Sequence, residues 1–118
     1  MKEQAIDLET VNELVEIMGE DMSMLIDSYI ADTRAKLAEL AQLRPDIDHD
    51  TIFRLAHSLK GSSRNIGISA FADYCEEIEE RARAQTLDSS GFNQQQLHAL
   101  FNSAIDKIQQ QLSLPPKP

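Results

Sequence analysis

Helix-breaking residues are scarce in this chain and, apart from Gly61, stand where helices would end. There are four glycines and four prolines among 118 residues. Between them the apolar side chains recur at three- and four-residue spacing, the period of an amphipathic helix, and no alternating strand pattern competes with it. Five helices are predicted. The first covers about residues 10–18, where Thr10 and Glu13 have the spacing of a capping box and Gly19 suits the stop. The second covers about 21–43, with Leu25, Tyr29, Leu37, Leu40 and Ala41 among its apolar positions, and Pro45 blocks its continuation. Asp48 is the expected N-cap of the third, about 49–66, and Gly67 its end. Ser69 is the expected cap of the fourth, about 70–84, whose stripe is Phe71, Tyr74, Cys75, Ile78 and Ala82. The segment from Leu87 to Gly91 reads as a loop, and the fifth helix covers about 92–112. Four amphipathic helices joined by short loops favour an all-α fold, an antiparallel up-down four-helix bundle, with a short extra N-terminal helix over one end or side.

A chain of this length fits one domain and buries roughly two-thirds of its unfolded surface. Residues 1–113 are expected to form that domain and 114–118 a flexible Pro-rich tail. The single cysteine, Cys75, has no internal disulfide partner, which suits a reducing compartment. A net charge of −9 and a pI of about 4.6 argue against nucleic-acid and anionic-membrane partners. No apolar run approaches the ~20 residues that span a bilayer, and the start MKEQAIDLET lacks the apolar core of a signal peptide. A cytoplasmic protein is the expectation. His49, His57 and His98 have no metal-ligand spacing, and no glycine-rich phosphate loop is present, so neither a metal site nor ATP hydrolysis is expected.

The informative stretch is Ala56-His57-Ser58-Leu59-Lys60-Gly61-Ser62-Ser63. On a wheel at about 100° per residue, Ile52, Leu55, Ala56, Leu59, Ser63 and Ile66 gather on one side and mark the core. His57 lies roughly 140° from Ile52, and Lys60, Gly61 and Arg64 lie at about 80°, 180° and 120°. His57 therefore faces away from the core. A lone surface histidine usually does nothing, so its company decides the matter. Gly61 costs about 1 kcal/mol inside a helix relative to alanine. Helical side chains lean toward the N-terminus, so a large residue at 61 would overhang His57. Glycine leaves the imidazole open to a large partner. A packing glycine is the plain alternative, but position 61 points opposite to the core. Lys60, three residues on, offers an ammonium to an anion on the ring; by itself it would read as a solvated lysine.

His57-Ser58-Leu59-Lys60-Gly61-Ser62-Ser63 closely resembles the His-x-Leu-Lys-Gly-Ser-Ser signature of histidine phosphotransfer domains. Ile66-Gly67-Ile68 resembles the break that ends that family's phosphorylated helix, and helix count, order and lengths fit over the whole chain. The resemblance implies a phosphoryl carrier without kinase activity, modified on Nε2 of His57. It implies receipt from a response-regulator receiver aspartate and delivery to another receiver, such as those of a hybrid histidine kinase and a downstream regulator. The carrier binds no cofactor, and Mg²⁺ is expected on the partner receiver. A monomer is expected, because self-association through the docking face would block transfer. Twenty-two residues after the histidine the family places a polar residue that reaches the ring; here it is Glu79. Glu79 either accepts a hydrogen bond from the other ring nitrogen or pairs with Arg83 one turn on, and these stand open. The role of Arg64 is open as well. For the docking face the candidates are Phe53, Val11, Leu14, Val15, Met18 and Met22, with Met24 in the same cluster; most of them suit a core equally. Two rival readings are a bundle adaptor indifferent to His57 and the phosphoacceptor domain of a chemotaxis-type kinase.

Overall fold

The computed structural model describes residues 5–113, and its regular elements there are all helices. The Pro-rich tail expected at 114–118 lies outside the described residues. In chain order come α1 (Leu8–Met18), a 3-10 turn (Gly19–Asp21), α2 (Met22–Ala41), α3 (His49–Ile66), α4 (Ala70–Arg83) and α5 (Gln94–Ser113).

Helical periodicity and burial agree along each long element. On α2 the buried residues are Met22, Ile26, Tyr29, Thr33, Leu37 and Leu40; on α3 they are Ile52, Ala56, Leu59, Ser63 and Ile66. Each set advances by three or four residues and so forms one stripe. α5 brings Leu97, Phe101, Ala104, Ile105 and Ile108 to the same core. Phe101 lies 5.2 Å from Phe71 and 5.9 Å from Tyr29, centroid to centroid, with the rings tilted. The Tyr29 hydroxyl is 2.6 Å from Ser63 Oγ, so a polar pair crosses the core between α2 and α3. Burial pushes the Tyr29 phenol up to about 12 and the Cys75 thiol likewise to about 12, so neither ionises near neutrality.

The ends of the helices differ from expectation in instructive ways. α1 begins at Leu8, not Thr10, because Asp7 is its cap: Asp7 Oδ1 accepts from the Thr10 N–H and Oδ2 from the Thr10 hydroxyl. Thr10 is thus the donor to a cap rather than the cap of a capping box. Asp48 stands at the N-cap of α3, but its carboxylate accepts from the Arg44 N–H at 2.7 Å and closes the preceding loop instead. Ser69 precedes α4 without capping it. α5 starts at Gln94, capped by Asn93, whose Oδ1 accepts from the Gln96 N–H at 2.9 Å.

The turn from α3 to α4 fixes the geometry of the site. Gly67 adopts φ 97°, and the Gly67 and Ile68 N–H groups return to the carbonyls of Arg64 and Ser63. This is a Schellman closure, which leaves only Ile68 and Ser69 between Gly67 and α4. The chain start is stitched to the same turn: the Asp7 N–H donates to the Gly67 carbonyl and the Ser69 N–H to the Ala5 carbonyl. A Cβ at 67 would sit 2.9 Å from Val11 Cγ2 and 3.2 Å from the Asp7 carbonyl. Gly67→Ala therefore meets left-handed strain, an overlap with the Val11 side chain and a tight approach to the Asp7 carbonyl. Its expected cost is about 1–3 kcal/mol, read as a lowered denaturation midpoint with far-UV helicity retained at the start of the titration.

Candidate functional site

α3 presents His57 to solvent. Its side chain is 62 % exposed, whereas Ala56 and Leu59 on the opposite side of the same turns are fully buried. Two neighbours hold the ring. The Phe53 ring, one turn earlier, stacks on it at 5.9 Å between centroids and 15° between planes. From α4, Glu79 Oε2 lies 2.8 Å from Nδ1.

Glu79 is the least expected member of the group, because a glutamate seldom sits 5 % exposed. Its other oxygen, Oε1, lies 2.7 Å from Lys60 Nζ, an ion pair without the alignment of a directed hydrogen bond. Burial pushes its carboxyl up, but the Lys60 ammonium and the His57 ring outweigh that and hold it below the usual range. An ionised carboxylate only accepts hydrogen bonds. The Nδ1 nitrogen must therefore carry the proton, and the lone pair of a neutral ring is left on the outward Nε2. Arg83 pairs with Glu80 instead, so the helical Glu79–Arg83 pair does not form.

Gly61 faces open space: a Cβ there would meet nothing within 4 Å. It is therefore not a packing glycine. Arg64 is not an imidazole neighbour. Its guanidinium contacts Asp73 at 3.0 Å and Glu76 at 2.7 Å, both on α4. Those two bonds raise the Arg64 pKa, and the Glu76 carboxyl is correspondingly lowered. Lys60 and Arg64 on α3 thus face Asp73, Glu76 and Glu79 on α4 as a ladder of opposite charges. The signal was present in the spacing, since the bases are four apart and the acids three apart on helices joined by a tight turn.

The expected docking residues separate. Val11 is fully buried under the α3–α4 turn, and Met22 is 3 % exposed in the core, so neither forms a surface. Leu14, Met18 and Phe53 are half-buried against the core, while Val15 is exposed. The large apolar side chains that α1 and α2 leave open also include Leu8, Ile17 and Met24, of which the sequence singled out only Met24. Among the described residues no three His, Cys, Asp or Glu side chains gather as a metal would need, and no helix is long and apolar enough to cross a membrane.

An exposed histidine with one nitrogen anchored to a buried acid, a lysine one turn on and an open glycine beside it form a site for moving a charged group. The family model of the Hpt domain matches residues 24–111, and the chain belongs to that family of histidine phosphotransfer domains. Membership gives it a phosphocarrier role in phosphorelays. Among solved structures, it is similar to the histidine-containing phosphotransfer protein B (HptB) of Pseudomonas aeruginosa PAO1. Sequence identity is 30 %, the TM-score is 0.81, and the match covers 91 % of this chain and 93 % of that one. Comparison with curated proteins gives no match.

The depressed Glu79 carboxyl makes the site acid-sensitive. A group whose folded pKa lies below its unfolded value stabilises the fold above the unfolded value, and that contribution fades as pH falls through the folded one. Starting from an ordinary carboxyl at 4.5, the loss begins below about pH 4.5. Denaturation midpoints followed down from pH 7 should fall more steeply there in the wild type than in Glu79→Gln. Parallel curves would mean that Glu79 gains nothing from its partners.

Proposed function

We propose that this chain takes a phosphoryl group from the aspartate of one receiver domain onto His57 Nε2 and passes it to a second receiver. The carrying observation is the ring itself: Nδ1 is tied to a buried carboxylate, while the exposed side chain leaves Nε2 to solvent. Phosphoryl transfer needs positioning and charge neutralisation more than covalent machinery. Glu79 supplies positioning, because the Nδ1 hydrogen bond fixes tautomer and ring orientation. Phe53 limits the ring from one face. Lys60 supplies positive charge one turn away. Gly61 leaves room for the receiver to approach.

On this reading residues 1–113 act as one domain, and the four long helices run up and down in antiparallel order with α1 as an added cover. The protein carries phosphate without a kinase or ATP site of its own and binds no cofactor; Mg²⁺ belongs to the partner receiver. The receivers are those of a hybrid histidine kinase and a downstream regulator. The carrier works as a cytoplasmic monomer, since its docking face must stay free. The exposed Val15 and the half-buried Leu14, Met18 and Phe53 are assigned to that face.

Incubation with a phosphorylated receiver domain tests the proposal directly. The wild type should take up label that maps to His57 and is lost in acid but kept in alkali, as a phosphoramidate is. His57→Gln should keep the helical fold and take up none. Equal labelling of the variant, or transfer from an ATP-loaded kinase domain but from no receiver, would overturn the reading.

Gly61→Gln separates access from folding. Glutamine is the better helix former, so thermal unfolding should be unchanged or improved by up to about 1 kcal/mol. Its side chain leans back toward His57. Uptake from a receiver should fall at least tenfold, while uptake from the small donor phosphoramidate should stay near wild type. An unimpaired receiver reaction would show that position 61 is not an approach route.

A further inference from the structure

In the protein as it stands, one buried carboxylate serves two partners. Glu79 Oε1 is 2.7 Å from Lys60 Nζ and Oε2 is 2.8 Å from His57 Nδ1. With the ring neutral, the ammonium and the carboxylate cancel. Phosphorylation upsets that balance. The Nε2 lone pair forms the bond to phosphorus, and the bond from phosphorus to the receiver's acyl oxygen breaks, its electron pair leaving on the receiver carboxylate. Nδ1 keeps its proton, so the ring becomes cationic and an anionic phosphoryl group projects from it, one helical turn from Lys60.

The two new charges match the two old ones. The cationic ring now neutralises Glu79 through the hydrogen bond it already makes. The Lys60 ammonium is released at the moment an anion appears beside it. We propose that Lys60 changes partner in each cycle: it neutralises Glu79 while His57 is empty, and it crosses to the phosphoryl group when the charged ring takes Glu79 over. This rests on the phosphotransfer reading above and assigns Lys60 a second task in it. Before transfer, Lys60 is a positioning residue that acts on the nucleophile through Glu79. Without its charge, a nearly buried carboxylate would draw a proton onto the ring, and the Nε2 lone pair would be lost.

The surrounding charges leave this task to Lys60. On α3, Arg64 is engaged with Asp73 and Glu76, and exposed Arg54 contacts Thr51. On α4, Glu76 is held by Arg64. The ion pairs to Glu79 among the described residues come from Lys60 and His57 alone, with none from α1, α2 or α5. A lysine that served only the phosphoryl group would have no reason to lie 18 % exposed over an acid in the empty protein.

The test uses potassium phosphoramidate, so receiver docking plays no part. Uptake rates are measured against pH for the wild type, Lys60→Met, Glu79→Gln and the double variant, with the label mapped to His57 and helicity checked at each pH. Taking the ratio of variant to wild type cancels the donor's own titration. For Lys60→Met the midpoint of uptake should move toward alkali by about one pH unit, with rates converging to within a few-fold above it. In the double variant the midpoint should return, because no carboxylate remains to hold a ring proton. Phosphorylated Lys60→Met should also lose its label several-fold faster than wild type. Lys60→Gln serves as the second substitution should the methionine variant unfold. A rate lowered by one factor at every pH, or a displaced midpoint that stays in the double variant, would overturn the change of partner and leave Lys60 as a plain phosphoryl contact. A wild type labelled elsewhere than His57 would overturn the phosphotransfer reading beneath it.

Discussion

The union of α3 and α4 is the constraint from which the site follows. Among the described residues their packing is the most extensive of any helix pair, and the Gly67 turn leaves little freedom in how they align. That alignment puts Glu79 against a histidine 22 residues earlier in the chain. It also sets Arg64 opposite Asp73 and Glu76. The exposed part of this ladder contributes little to stability by itself, since surface ion pairs are weak. Its rung at Glu79 differs: an acid so nearly buried must be matched, or its desolvation would be costly. Matching it from α3 ties the register of two helices to the state of one imidazole.

His57 therefore occupies a divided environment. Its outer nitrogen belongs to solvent and to whatever docks there, and its inner nitrogen belongs to the protein. Such a division suits a carrier better than full burial or full exposure. A buried ring could not meet a receiver, and a free one would sample rotamers and tautomers that do not react. Phe53 and Glu79 restrict it from two sides, and Gly61 leaves the third open. On the proposed reading, that restraint keeps the ring poised for both acceptance and release of the phosphoryl group.

The same scaffold explains where the docking candidates went astray. Val11 and Met22 lie among apolar residues near the start of the chain, and their composition suits a surface patch and a core equally. The fold settles it by stitching Ala5 and Asp7 to the α3–α4 turn, which drives Val11 into the space that Gly67 leaves. Met22 opens α2 and falls into the stripe continued by Ile26 and Tyr29. Ile17, by contrast, is 78 % exposed although nothing in the sequence marked it. α1 is short and covered on one side only, so its period gives a stripe without saying how wide the covered part is.

What the sequence determined by itself is what a single helix can express. The five helices and their approximate limits, the core side of α3, the outward direction of His57 and the openness at Gly61 all follow from periodicity, because the angle between residues on one helix is fixed by backbone hydrogen bonding. The tertiary structure alone decided which side chains meet across helices. The sequence left Glu79 suspended between His57 and Arg83, and left Arg64 without a role. In the folded protein Glu79 takes His57 and Lys60 together, and Arg64 goes to Asp73 and Glu76. Those choices depend on interhelical distance and rotation to within an ångström or two. Core packing and the Gly67 turn set both, and no wheel drawn for one helix contains them.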